Sequence, residues 1–104
     1  MRRGCSILAA TLAVYAVTAT AQRADTDLAR DIASTCANCH GTNGVSRGGT
    51  GSLAGQSKDD IVRKMQAYKT GTTPGTIMPQ LAKGYTDAQI ELAAGWFAAQ
   101  KAAQ

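Results

Sequence analysis

Aromatic side chains are scarce in this 104-residue chain: one tryptophan, one phenylalanine and three tyrosines. So few rings cannot fill the interior of a large α/β enzyme. Charge is thin as well, at 17% of residues, and no Lys/Arg stripe is interleaved with aromatics, which argues against nucleic-acid binding. Three cysteines are too few for a disulfide-stapled small domain. His40 is the single histidine, which leaves a four-ligand zinc site short of donors. No stretch alternates apolar and polar residues with β-branched enrichment, so no strand is expected.

What is present begins with a leader. Met1-Arg2-Arg3 is a short basic start, Ile7 to Ala21 is fifteen residues without a charge, and Ala19-Thr20-Ala21 is an A-x-A end. This is the layout of a secretory signal peptide, with cleavage expected after Ala21. The run is too short and too rich in threonine for a membrane-spanning helix, which needs roughly 20 apolar residues. The expected domain plan is therefore a signal peptide over 1–21, removed on export to the periplasm, and one domain over 22–104 with no membrane span. Arg2 and Arg3 leave with the leader, so Lys+Arg falls from 11 to 9 against 7 acids and the net charge becomes +2. Cys5 leaves too. An exported domain of 83 residues with four aromatics has a marginal core, and a large apolar cofactor would repair that shortage.

Three helices are predicted. The first runs from about Asp25 or Thr26 to Cys36, with Leu28, Ile32 and Thr35 on one face. The second starts at Ser57, an N-cap with Asp60 in the capping-box position, presents Ile61, Met65 and Tyr68, and stops at Gly71. The third starts at Thr86, with Gln89 closing a capping box, and presents Ile90, Ala93, Ala94 and Phe97. Irregular stretches fill 41–55, rich in glycine, and 71–84, which contains both prolines. The glycine-rich stretch is not a phosphate cradle: no strand precedes it and no Gly-Lys-Ser/Thr ending follows. Its glycines suit close backbone approach to something flat and bulky.

The strongest signal is Cys36-Ala37-Asn38-Cys39-His40. Two thiols three positions apart, followed at once by histidine, form the haem c attachment motif. Cysteines at i and i+3 on a turn reach the two vinyl groups of one porphyrin as thioethers, and the next residue places its imidazole under the iron. A redox dithiol of thioredoxin type would sit near a βαβ pattern, which is absent. A six-coordinate iron needs a second ligand. With no other histidine, methionine is the candidate donor. Met65 falls on the apolar face of a helix, where methionine ordinarily packs. Met78 falls in the Pro74-Gly75-Thr76-Ile77-Met78-Pro79 loop, where the following proline stiffens the backbone, and is the better candidate.

A helix ending in Cys-x-x-Cys-His, a Met-Pro loop and a C-terminal helix bearing aromatics together resemble a class I cytochrome c. The similarity covers residues 27–100. It implies an all-α fold of three main helices and loops around one covalently attached haem c, with Cys36 and Cys39 as thioethers and His40 and Met78 as axial iron ligands. It also implies N- and C-terminal helices that cross at Ile32 and Ala33 against Gly95, Trp96 and Phe97. More narrowly, Tyr68-Lys69-Thr70-Gly71, Thr76-Ile77-Met78, Ala82-Lys83-Gly84-Tyr85-Thr86 and Ala94-Gly95-Trp96-Phe97 are similar to the haem subunit of flavocytochrome c sulfide dehydrogenase. In that family the haem subunit accepts electrons from a sulfide-oxidising, FAD-containing flavoprotein. Many such subunits carry two haem domains, whereas this chain has one motif and no internal repeat. Class I cytochromes also commonly place proline two residues before the leucine that matches Leu53. Here that place is Gly51, whose carbonyl is expected to accept the proximal imidazole N–H.

With both axial positions filled, substrate chemistry at iron is disfavoured and one-electron transfer favoured. The expectation is a carrier without catalysis of its own, serving as the non-catalytic subunit of a sulfide dehydrogenase. The alternative is a free periplasmic shuttle to oxidases or reductases. Tyr68 and Tyr85 are candidates for contact with a haem propionate or the Met78 region. Arg47 and Lys83 read better as solvated surface charge.

Overall fold

A computed structural model describes residues 5–102, with side chains described from residue 18 onward. Five α-helices follow one another, with no strand among the described residues: α1 (Cys5–Ser34), α2 (Ala37–His40), α3 (Lys58–Thr70), α4 (Met78–Lys83) and α5 (Asp87–Ala98), with a 3₁₀ turn at Thr42–Gly44. The all-α expectation holds.

Helix α1 begins well before Asp25, where the sequence pointed to a start. No glycine or proline interrupts Cys5–Ser34, and the segment is rich in alanine, so nothing local stops a helix there. The leader reading concerns residues 1–21: 1–4 lie outside the described residues, only the backbone is described over 5–17, and 18–21 continue as exposed helix. Among the described residues no helix is long and apolar enough to cross a membrane.

The other two long helices have the ends their caps dictate. Ser57 Oγ accepts from Asp60 N at 3.1 Å, and Gly71 closes α3 in the left-handed region at φ +79°. At α5 both halves of the capping box form: Thr86 Oγ1 accepts from Gln89 N at 3.2 Å, and Thr86 N donates to Gln89 Oε1 at 2.9 Å.

The 71–84 stretch is not wholly irregular. Met78 is the first residue of α4, a six-residue helix that ends before Gly84. Pro79 in the first turn costs no hydrogen bond and presets φ, and Gln80-Leu81-Ala82-Lys83 are good helix formers. The two short helices and the 3₁₀ turn add to the three helices expected.

The main contact is α1 against α5, with α3 and then α4 stacked beside it. Ala33, Ile61, Ala94 and Phe97 form the buried cluster, and Leu53, Met65 and Trp96 pack on its edge. Ala33 of α1 shares this cluster with Ala94 and Phe97 of α5. Gly95, expected at this crossing, instead points toward α3: a Cβ built there would meet Lys58 Cδ at 4.0 Å. A one-residue step on a helix turns the side chain by about 100°, enough to move it from one neighbour to another.

Candidate functional site

The chain reverses sharply after α1. Thr35 N donates to Ile32 O at 3.2 Å and Cys36 N to Ala33 O at 3.0 Å, both of the tighter i→i−3 kind. Cys36 then caps α2, and Cys39 N and His40 N both donate to Cys36 O, at 3.3 and 2.9 Å. This single turn presents Cys36, Cys39 and His40 together. Both thiols are free, Cys36 half-buried and Cys39 exposed. Burial pushes the Cys36 thiol above its ordinary range, a contact with Thr35 lowers it, and the Cys39 charge raises it.

His40 Nδ1–H donates to the Gly51 carbonyl at 2.6 Å, the acceptor expected from the sequence. A hydrogen bond at Nδ1 fixes the ring and leaves Nε2 as the available donor atom, the usual preparation of a metal-binding imidazole. The loop that brings Gly51 there is closed at its neck. Gly44 O accepts from Leu53 N at 2.8 Å and Ala54 N at 3.1 Å, and Ser52 Oγ accepts from Ser46 N at 2.9 Å. Gly44 is buried at φ +79°, and a Cβ there would fall 2.7 Å from Phe97 Cδ1. Only glycine allows this neck to seat against α5. A cavity of about 490 Å³ opens beside α2, lined by Asn38, Cys39, Thr42, Val45 and Arg47 among others.

Met78 is half-buried at the start of α4, and Met65 is half-buried beside the core. Ile77 and Leu81, on either side of Met78, are 55% and 43% exposed. Tyr85, just past α4, does not reach for Met78. Its hydroxyl lies 2.6 Å from Thr35 Oγ1, immediately before Cys36. The contact joins the end of α1 to the end of α4 and had no signal in the sequence, since 50 residues separate the partners. Tyr68 is half-buried, and Arg47 and Lys83 are exposed.

The residues fit a flat apolar group. Among the described residues the buried hydrophobic set is Ala29, Ala33, Ala54, Ile61, Ala82, Ile90, Ala94 and Phe97: five alanines and three larger side chains. Leu53, Met65, Tyr68 and Met78 remain half-covered. A small core of alanines, four larger apolar side chains left half-covered, and a turn bearing two thiols and an oriented imidazole together suit a large flat apolar group.

The comparisons agree. The chain is 40% identical over 62 residues to the cytochrome subunit of sulfide dehydrogenase of Chlorobaculum tepidum, across 60% of this chain and 56% of that protein. It is 38% identical over 56 residues to cytochrome c-552 of Acidithiobacillus ferridurans, across 54% of this chain and 24% of that protein. The chain is thus similar to two cytochromes over a little more than half of its own length. The match spans about half the length of the first relative and a quarter of the second. No protein-family model matches the chain. A covalently bound haem c is the cofactor these cytochrome relatives imply, and the donor set suits it: two thiols, one imidazole with a free Nε2, and a thioether sulfur.

Proposed function

We propose that this chain is an electron carrier of the periplasm, reached through a cleaved leader over 1–21. In this reading the 22–104 domain would bind one haem c through Cys36 and Cys39, with His40 and Met78 as the residues that would hold its iron. When bound, haem c supplies reversible one-electron chemistry. The residues supply the rest. Cys36 and Cys39 tether the ring to a single turn. The Gly51 carbonyl holds the His40 ring so that Nε2 keeps one direction and raises its basicity. Met78 would supply a thioether sulfur, a soft donor that favours the reduced state of a bound haem. The observation that carries the reading is the 2.6 Å bond from His40 Nδ1 to Gly51 O, placed one residue after a Cys-x-x-Cys pair on the same turn.

Within this reading the chain is the cytochrome subunit of a sulfide dehydrogenase, taking electrons from an FAD-containing flavoprotein. The similarity to the Chlorobaculum tepidum subunit supports it. So do the uncharged exposed residues next to the proposed ligands, Asn38, Ile77, Gln80 and Leu81, which outnumber the nearby charges Arg47 and Lys83. A lasting complex buries such a surface without stranding charges. A shuttle is better served by a ring of lysines that steers encounter. Purification from the native source and gel filtration at moderate salt test this. Co-elution with a flavin-containing chain is the expected result. A lone species near the mass of the exported domain, with electron exchange that falls steeply with salt, replaces this reading with the free shuttle to oxidases or reductases.

A further inference from the structure

Helix α4 cannot hold its own place. It has six residues and no side-chain bond at its N-terminus, and a helix that short does not persist without tertiary ties. Two ties are visible at its C-terminal end. Ala82 is completely buried. Tyr85, which follows the Gly84 stop, is bound in three directions. Its N–H donates to Ala82 O at 3.3 Å, which joins it to α4. Its carbonyl accepts from Lys69 Nζ at 2.8 Å, which joins it to α3. Lys69 is fixed in turn by Asp87 at 2.9 Å, and Asp87 also accepts from Gln66 Nε2 at 2.9 Å.

The third direction crosses the molecule. Thr35 Oγ1–H donates to Ile32 O at 2.8 Å. A hydroxyl has one proton, so the Tyr85 hydroxyl is the donor in the 2.6 Å contact with Thr35 Oγ1. The relay runs from the phenol to Thr35 and on to the last turn of α1. Thr35 precedes Cys36, where the attachment turn begins. The element that carries Met78 is thereby tied to the element that leads into Cys36, Cys39 and His40.

We propose that the Tyr85 hydroxyl is a positioning group that sets Met78 against the Cys36–His40 turn, and so controls how firmly the sulfur is held at the sixth position. The proposal rests on Met78 being the axial ligand, as argued above. Tyr85→Phe keeps the ring and its packing and removes one bond, and the exposed Thr35 can take water in its place. α4 then loses its link to α1 while its buried alanine and its contacts with α3 remain.

The test uses the haem-loaded protein. Carbon monoxide reaches reduced iron only after the sulfur leaves, so its uptake rate at saturating gas reads methionine release. Tyr85→Phe is expected to raise that rate roughly two- to twelvefold, the range that one net hydrogen bond represents. Thr35→Val is expected to raise it similarly, and the double variant no further, because both remove the same link. The denaturant midpoint followed by far-ultraviolet helix signal is expected to move less than the midpoint of the methionine–iron absorption band. An unchanged uptake rate, additive effects of the two substitutions, or equal shifts of both midpoints would overturn the proposal. A wild-type protein with no methionine–iron band refutes the Met78 assignment itself, which separates failure of the ligand reading from failure of the clasp.

Discussion

Gly44 is the position where a single methyl group most directly tests the site's architecture. A Cβ there stands 2.7 Å from Phe97 Cδ1 and 2.9 Å from Ala54 N. Phe97 is only 2% exposed, so its ring has no solvent to retreat into. The backbone adds a second penalty, because φ is +79° and the left-handed region costs an L side chain about 1–2 kcal/mol. Overpacking costs about 1–3 kcal/mol more. Gly44→Ala is thus expected to destabilise the haem-loaded protein by about 2–5 kcal/mol. For a domain of this size that lowers the melting temperature by at least roughly 8 °C. The consequence reaches the site, since the Gly44 carbonyl closes the loop that presents Gly51 to His40. A neck pushed away from α5 misplaces that acceptor, and the reduction potential shifts with it. Gly51→Ala is the control. A Cβ at Gly51 meets nothing within 4 Å and its φ lies outside the left-handed region. It is expected to stabilise by about 0.4–1 kcal/mol through the unfolded chain, with the potential unchanged because the acceptor is backbone. Thermal melts by circular dichroism and a redox titration of the three proteins decide. A Gly44→Ala protein that melts with the wild type, or a Gly51→Ala protein that loses as much as Gly44→Ala, refutes the reasoning.

Met78→Ala is expected to open the sixth position and lower the potential, whereas Met65→Ala, half-buried against the core, costs about 2 kcal/mol of stability and keeps the low-spin spectrum. The reverse pattern identifies Met65 as the ligand. Replacing both Cys36 and Cys39 with alanine is expected to abolish covalent haem, scored by haem staining after denaturing electrophoresis. It should also remove cooperative unfolding, since five of the eight buried hydrophobic residues among those described are alanines and the ring is needed to complete the core. A protease-resistant haem-free form would sink that claim. Asp87 has its carboxyl held below the ordinary range by Gln66 and then by Lys69. A depressed folded pKa gives stability that is present above the unfolded value and lost as pH falls through the folded one. Asp87→Asn should therefore flatten the stability–pH curve below about pH 3.8, the ordinary value, and leave the slope near neutrality unchanged; denaturant midpoints measured across that range check it.

Much of this protein is decided by interactions three or four residues long, and those the sequence determines by itself. The caps at Ser57 and Thr86 follow from side chains that bond their own backbone neighbours, the stop at Gly71 from a left-handed φ that glycine allows, and the Cys36–His40 turn from backbone bonds to the Cys36 carbonyl. The apolar faces of α3 and α5 follow from helical period. The Gly51 acceptor was legible through resemblance, because the residue pattern around Leu53 marks its place. Other features depend on partners far apart in the chain. Met78 lies in a helix because α3 supplies packing for a segment too short to be helical alone. Ala94, and not Gly95, meets α1 because the rotation of α5 is set by everything packed around it. The seat of Gly44 under Phe97, and the bond from Tyr85 to Thr35 across 50 residues, exist only once the helices are docked. No local preference encodes them; only the docked tertiary structure ties the end of α4 to the end of α1.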